Sequence, residues 1–354
     1  MGLTVAQINI KNWKKNKYIL QCELPNINCD ILLINETGLV YDNAIKLRGF
    51  NSIHRSLGPN SGVAILVKSN ITYTQIPTTD ENTLAIKTPT NIGDIIICTA
   101  YIPPRLPTLP ITQFNKILNF NLPTLFAADL NAHHPFLHNT RNNNQIDHKG
   151  NIVYNFAINR HCNYLGPNFN TYITRHRTGK PDVILTNQHF NILHTHITPG
   201  PDIGSDHIPT IINITTIPIK TQITPHINTK TLNIQEYKHE LSQLTLPDLD
   251  QQPTQNIDDN MNTIITHIKT ATQNHCETST IKYIQSYKPT PRTKQKLKQL
   301  QSATKNYYTH GFPTLDRLQY MKQELLRLIL DECSSDWDNI VKEGTECYGN
   351  PALF

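Results

Sequence analysis

Eight short apolar runs punctuate the first 218 residues, at 3–10, 30–36, 62–68, 83–87, 94–101, 124–131, 182–186 and 207–215, each bounded by turn-forming residues. Runs of this length, rich in Ile, Val, Leu and Thr, predict strands. Apolar residues at helical spacing are fewer, at about 11–24, 112–120 and 149–160. Three helices are too few to follow every strand of a doubly wound sheet. The pattern therefore predicts an α/β domain in which two sheets stack face to face with helices outside.

Near Pro218-Ile219-Lys220 the texture changes. A stretch rich in Thr, Pro, Asn and Gln runs to about 253, holds one short helical segment at 234–244, and makes 219–256 read as a linker. Ile257, Met261, Ile264, Ile265 and Ile268 then mark one helical face, and Leu315, Leu318, Leu325, Leu326 and Ile329 another. The chain is expected to comprise a layered domain over 1–218, the linker, and a mostly helical extension over 257–354 with no part in catalysis.

Charge is informative once divided. Residues 1–218 hold 17 Lys and Arg against 12 Asp and Glu, net +5; the remainder holds 32 − 17 = 15 against 27 − 12 = 15, net zero. The excess positive charge thus lies with the layered domain, as suits a polyanionic substrate, although a mildly basic protein of another kind has the same balance. Within the extension, Lys282, Lys288, Arg292, Lys294, Lys296 and Lys298 occur with no acid between them, followed by a more acidic closing helix. Such a run at 282–298 can hold RNA, form a solvated face, or pair with the acidic helix.

Seven dispersed cysteines without a CxxC pair predict free thiols rather than a secreted disulfide framework. The first residues lack the basic and apolar regions of a signal peptide, and no apolar run approaches about 20 residues. An intracellular protein, nuclear or cytoplasmic and without a membrane partner, is expected.

Polar residues at the ends of the apolar runs carry the candidate chemistry. Asp129 and Asn131, in Ala128-Asp129-Leu130-Asn131, share one side of an extended chain because strand side chains alternate with period two. They can polarise and orient a water. Glu36 ends one run and Asp206 begins another; a hard Mg²⁺ ion takes one or two such carboxylates together with waters and substrate oxygens. His207 follows Asp206 directly, and Asp182 opens the run 182–186. A carboxylate behind an imidazole fixes its tautomer and raises its basicity. Tyr101 and Asn9 are further strand-end groups that can reach a phosphate or simply cap their strands. Together these residues describe metal-assisted phosphodiester hydrolysis. The basic segment Arg175, Arg177, Lys180 precedes the Asp182 run and fits either a nucleic-acid backbone or an exposed turn.

Six ordered segments carry a resemblance: Gln7-Ile8-Asn9, Asn35-Glu36-Thr37, Ala100-Tyr101-Ile102-Pro103-Pro104, Ala128-Asp129-Leu130-Asn131-Ala132-His133-His134, Gly179-Lys180-Pro181-Asp182 and Gly204-Ser205-Asp206-His207-Ile208-Pro209. Over its first 218 residues the chain resembles the endonuclease/exonuclease/phosphatase superfamily, and within it the apurinic-type endonuclease domain of non-LTR retrotransposons of the jockey and I-element kind. The resemblance implies a four-layer α/β/β/α sandwich of two mixed sheets, one divalent metal (Mg²⁺, with Mn²⁺ as a substitute), and nicking of DNA to leave a 3′-hydroxyl that primes reverse transcription.

It further implies that Asn9, Glu36 and Asp206 serve the metal, that Tyr101 contacts the scissile phosphate, and that Asp129 and Asn131 align the water. Asp182 would orient His207, Ser205 would support the phosphate, and Thr171 corresponds to a substrate-contacting threonine. Whether His207 acts as base or as protonated stabiliser stays open. The doublet His133-His134 is assigned to local structure rather than to zinc. The extension resembles the connector before a reverse transcriptase, with element RNA as a partner through 282–298, and carries no reverse-transcriptase motif. Two alternatives remain: a phosphatase or phosphodiesterase of the same superfamily on a non-DNA substrate, and an inactive nucleic-acid-binding remnant.

Overall fold

A computed structural model describes residues 2–39, 45–55, 58–59, 61–137, 146–174, 177–220, 226–227, 232–243, 254–276, 278–279, 289–311 and 313–348. Two six-stranded sheets form its centre. The first has the order β13 (Thr195–Pro199), β14 (Thr210–Ile214), β1 (Leu3–Asn9), β2 (Ile31–Asn35), β4 (Val63–Lys68), β3 (Phe50–Arg55). The second runs β5 (Thr74–Ile76), β6 (Thr83–Thr90), β7 (Gly93–Ala100), β8 (Thr124–Asp129), β12 (Asp182–Thr186), β9 (Asn163–Gly166). Only β1–β2 and β7–β8 pair in parallel among the named neighbours, and each of these steps is bridged by a helix, since a parallel return needs a crossover.

The helices fall outside the sheets. α1 (Trp13–Ile27) covers the outer face of the first sheet, where Trp13, Ile19 and Leu20 meet Ala6, Ile8, Leu32 and Ile34. It starts at Asn12, whose side chain accepts the Lys15 N–H, and ends at Asn28 in the left-handed region, so it runs three residues past the expected end and includes Pro25. α2 (Ile111–Leu118) and α3 (His148–Asn159) cover the second sheet through Phe114, Ile117, Val153 and Phe156. Between the sheets Leu3, Val5, Leu33 and Ile65 interlock with Ile86, Ile95, Leu125 and Ile184. This layer is fully buried, and truncating one of its Ile or Leu residues to Ala would cost about 2–5 kcal/mol. The expected four-layer α/β/β/α sandwich is the fold observed.

The chain divides into two compact units, 1–221 with 285–354 and 222–284. In the first, α6 (Pro291–His310) and α7 (Leu315–Tyr348) place Leu297, Leu300, Leu318, Leu325 and Ile329 in the same core as α1. The stretch 257–354, expected as one extension, is thus shared between the units. The second unit contains α4 (Ile234–Ser242), α5 (Thr254–His275) and the short pair β15 (His226–Ile227) and β16 (Thr278–Ser279). There, Met261, Ile265 and Ile268 of α5 are exposed. Cys22, Cys29, Cys98, Cys162 and Cys276 are buried free thiols. Among the described residues no helix is long and apolar enough to cross a membrane.

Candidate active site

At one end of the inter-sheet layer the inward columns of side chains turn from aliphatic to polar. On β1, Leu3 and Val5 face the second sheet and Gln7 and Asn9 continue that column, as the two-residue repeat of a strand requires. On β2, Ile31 and Leu33 are followed by Asn35, and from β7 onward Ile95 and Ile97 by Thr99 and Tyr101. On β8, Leu125 and Ala127 lead to Asp129; on β12, Asp182 precedes Ile184. Asn9, Asp129 and Asp182 are all at most 2% exposed.

Buried carboxylates need donors, and this cluster supplies them. The Asn9 amide donates to Glu36 Oε2 at 3.0 Å and to Asp129 Oδ2 at 2.8 Å, joining the two acids. Gln7 Nε2 donates to Asp182 Oδ1 at 2.6 Å and to Asn35 Oδ1 at 3.0 Å. Asn35 in turn donates to Thr99 Oγ1 and the Ala100 carbonyl. Asn131 Nδ2 donates to Asp129 Oδ1 at 2.9 Å and to the Ile102 carbonyl at 3.1 Å, which leaves its amide oxygen as the acceptor it can offer.

His207 lies among the acids at 5% exposure. Its Nδ1 is 3.0 Å from Asp182 Oδ2, and its Nε2 faces Asp129 Oδ2 at 4.0 Å, too far for a direct hydrogen bond. The Tyr172 ring packs edge-on against it at 5.1 Å. Asp129, Asp182 and His207 present ligand atoms within 4.8 Å of one another. Because Nδ1 and Asp182 already satisfy each other, the group reads better as an aspartate-oriented imidazole facing a second acid than as a closed metal cage.

Electrostatics follow from burial and crowding. Burial raises the Glu36 pKa, aided by the nearby Asp206 and opposed by the Asn9 hydrogen bond. Asp129 is raised by burial and by Asp182. Burial pushes His207 down, but Asp182, through charge and hydrogen bond, and then Asp129 and Asp206 outweigh it and lift the imidazole to about 9. Tyr101 is raised by burial and by Glu36, so it remains a hydroxyl donor. Lys11, at the rim, sets its ammonium 2.6 Å from Asp206 Oδ2; burial lowers its pKa, but Asp206 and more weakly Glu36 raise it overall. Three backbones here are unusual: Lys11 at φ 60, Glu36 at φ 54 and Asn131 at φ 48 lie in the left-handed region. Asn tolerates that region, whereas for Glu it is rare, and strain of this sort concentrates at functional sites.

Residues 95–211 match the family model described as endonuclease-reverse transcriptase. Over these residues the N-terminal domain resembles the endonuclease/exonuclease/phosphatase superfamily. The chain is distantly similar to the probable RNA-directed DNA polymerase from transposon X-element of Drosophila melanogaster, 28% identical over an alignment of 268 residues, with 70% of this chain and 29% of that protein covered. It is also similar to the RNA-directed DNA polymerase from mobile element jockey of Drosophila funebris, 21% identical over 69% of this chain and 27% of that one. The chain therefore spans under a third of these relatives' length. In fold it resembles the endonuclease domain of TRAS1, a telomere-specific non-LTR retrotransposon, with a TM-score of 0.51 and 19% identity over 60% of this chain and 98% of that one. The Xenopus laevis APE2 catalytic domain has a TM-score of 0.50 and 14% identity over 62% and 94%.

Within this domain, Asn9, Glu36, Tyr101, Asp129, Asn131, Asp182, Asp206 and His207 come together at one end of the sandwich. Ser205 and Thr171 also make structural contacts. The Ser205 hydroxyl, 1% exposed, donates to the Asn9 carbonyl at 2.7 Å and accepts the His207 N–H at 3.2 Å, so it fastens the His207 loop to β1. Thr171 is fully buried beneath that loop, where its carbonyl accepts the Ile208 N–H. Arg177 is exposed on the hairpin of β10 (Tyr172–Ile173) and β11 (Thr178–Gly179), which is tied to the site by the Ile173 N–H to Asp206 carbonyl bond, and Lys180 follows it. Arg175 lies outside the described residues.

His133 and His134 are structural. His133 Nδ1 meets Asp147 Oδ2 at 2.7 Å, Asp147 caps α3, and His134 stacks on Tyr154. Of the basic run, Lys282 and Lys288 lie outside the described residues, Arg292, Lys294 and Lys298 are exposed on α6, and Lys296 pairs with Glu324 of α7. Sequence reasoning missed Gln7, Asn35, Lys11 and Tyr172 as members of the site. Gln7 and Asn35 were readable as polar residues on the inward parity of apolar strands; nothing local marked Lys11 or Tyr172.

Proposed function

We propose that the domain is a Mg²⁺-dependent endonuclease that nicks DNA and leaves a 3′-hydroxyl, of the kind that primes reverse transcription in non-LTR retrotransposons. The observation that carries this reading is the continuous hydrogen-bonded network from Glu36 through Asn9 to Asp129, with the Asp182-oriented His207 facing Asp129 across 4.0 Å. The donor set fits the ion: Glu36 and Asp206 are hard carboxylates near enough to raise the Glu36 pKa, and Asn9 adds an amide. The Lys11 ammonium against Asp206 shows that this corner attracts positive charge. When bound, the ion supplies charge neutralisation on the phosphate.

The chain's own residues divide the remaining work. Asp129, made more basic by burial and by Asp182, accepts a proton from a water held by the Asn131 amide oxygen. The water's oxygen bonds to phosphorus as the bond to the 3′-oxygen breaks, and the departing 3′-oxygen takes a proton from solvent water to become a hydroxyl. His207, held protonated by its aspartates, donates from Nε2 to a phosphate oxygen as charge develops, and Tyr101 donates from its hydroxyl. Arg177 and Lys180 meet the DNA backbone beyond the cut, and the outward residues of α6 offer a basic face to element RNA.

Supercoiled plasmid incubated with the protein and Mg²⁺ should become nicked circle whose ends a polymerase extends without prior phosphatase treatment. Release of phosphate from inositol phosphates with intact plasmid would make the domain a phosphatase. Plasmid bound but uncut in Mg²⁺ and Mn²⁺ would make it a binding protein.

A further inference from the structure

The loop that carries Ser205, Asp206 and His207 is held from behind by the last two helices. Leu300, Leu318 and Leu325 share a core with Ile19 of α1 and with Ile203, at the start of that loop. Polar contacts extend this packing. Lys322 Nζ on α7 donates to the Ser205 carbonyl at 2.9 Å and pairs with Asp202 Oδ2 at 2.8 Å. Thr304 on α6 donates to the same Asp202 oxygen at 3.3 Å, and the other oxygen accepts the Gly204 N–H at 2.8 Å. The Asp202 side chain is 1% exposed and that of Lys322 15%, so this is a buried ion pair. Removing one partner of such a pair leaves an uncompensated charge, which is costly.

The geometry passes from this anchor to the chemistry within three residues. Gly204 turns at φ +83 against α1, where a Cβ would come within 2.8 Å of Ile19 Cδ1, so the backbone packs close to α1 with no space for a side chain. Ser205 is fixed on both sides, its carbonyl by Lys322 and its hydroxyl by the Asn9 carbonyl. His207 N–H then bonds to the Ser205 hydroxyl. The path of 202–207, and with it the placement of Asp206 and His207, depends on a side chain more than a hundred residues away in sequence.

We propose that Lys322 is a positioning residue for the active site, and that α6 and α7 are thereby part of the catalytic unit rather than a connector that follows it. The inference rests on the reading of Asp206 and His207 as catalytic groups. Displacing such groups by about 1 Å is worth on the order of 10²-fold in rate, so a carbonyl anchor two residues from His207 has ample leverage.

The test uses the full chain with Lys322→Met and Lys322→Arg, and measures amide hydrogen exchange, Tm, and the kcat and KM of plasmid nicking. Lys322→Met should speed exchange in 202–208 while leaving β2 and β4 unchanged, and should lower kcat at least ~10-fold with KM within about threefold. Lys322→Arg, which keeps the charge and the donors, should restore most of both. Unchanged exchange in 202–208, a uniform rise across both sheets, or local loosening with normal kcat would each overturn the proposal. Should the wild-type protein leave DNA intact, the endonuclease reading fails by itself, and the exchange measurement still decides whether α7 sets the loop.

Discussion

Asp129 and Asp182 stand directly opposite each other on antiparallel β8 and β12, two buried carboxylates in one cross-strand pair. Like charges in that position destabilise a sheet, and burial adds to the penalty. What offsets it is the ring of donors: Asn9 and Asn131 on Asp129, Gln7 and His207 on Asp182. Asp182 also meets His207 Nδ1 at 3.0 Å, and the two acids raise the His207 pKa. The following expectations derive from that arrangement.

Asp182→Asn should bring the His207 pKa down from about 9, since the largest of the influences that raise it is removed, and nicking should fall by at least ~10²-fold, as for His207→Ala. NMR titration of the His207 ring in both proteins reads the first effect, and plasmid nicking the second. A His207 that titrates identically in the variant would detach Asp182 from its proposed role.

Gln7→Leu removes the shortest side-chain donor to Asp182 while keeping similar volume in the buried column. Loss of an outer partner of this kind is worth roughly 10–100-fold, so kcat should drop within that range with the strands intact by circular dichroism. Wild-type kcat would mean that Gln7 only fills space.

Glu36, Asp129 and His207 all have raised pKa values in the folded protein. A raised group adds stability that is fully present below its unfolded pKa and lost as pH rises through the folded value. For His207 that window runs from 6.5 to about 9, and for the two carboxyls it opens above 4.5 and 3.8. Chelated protein should therefore lose stability as pH rises through the His207 window, less so in His207→Gln. Mg²⁺ competes with protons for the same acids, so its increment to Tm should grow over that range; at about 100 times its Kd it is worth about 2.7 kcal/mol. Glu36→Gln or Asp206→Asn should reduce the increment, and equal increments in all three proteins would move the ion elsewhere.

Arg177→Ala on the β10–β11 hairpin should weaken DNA binding and lower the slope of log affinity against log salt by about one, with kcat at saturating DNA unchanged. Fluorescence anisotropy across a salt series gives the slope. An unaltered slope would leave Arg177 as an ordinary surface residue.

The eight strands legible in the sequence are the eight interior strands of the two sheets. β3, β5, β9 and β13, which the apolar pattern did not reveal, are the four edge strands. The reason is physical: an interior strand sits between two neighbours and is covered on both faces, so its sequence is nearly continuously apolar. An edge strand such as Phe50–Arg55, only half-buried along most of its length, mixes Asn, Ser, His and Arg with its apolar residues. The same logic made Asn9, Glu36, Tyr101, Asp129, Asp182 and His207 visible, because a polar residue closing an apolar run stands out.

The sequence by itself determined the alternation that builds the two sheets, the helices that cover them and the polar residues at their ends, since all of these are written in spacings of a few residues. Only the tertiary structure decided that Gln7 would hold Asp182 across 175 positions, that Ser205 would fasten the His207 loop to β1, and that Lys322 would reach that loop. Such contacts join residues whose neighbours in sequence carry no trace of the partner; they exist because stacking two sheets and docking two helices closes distances that no local periodicity encodes.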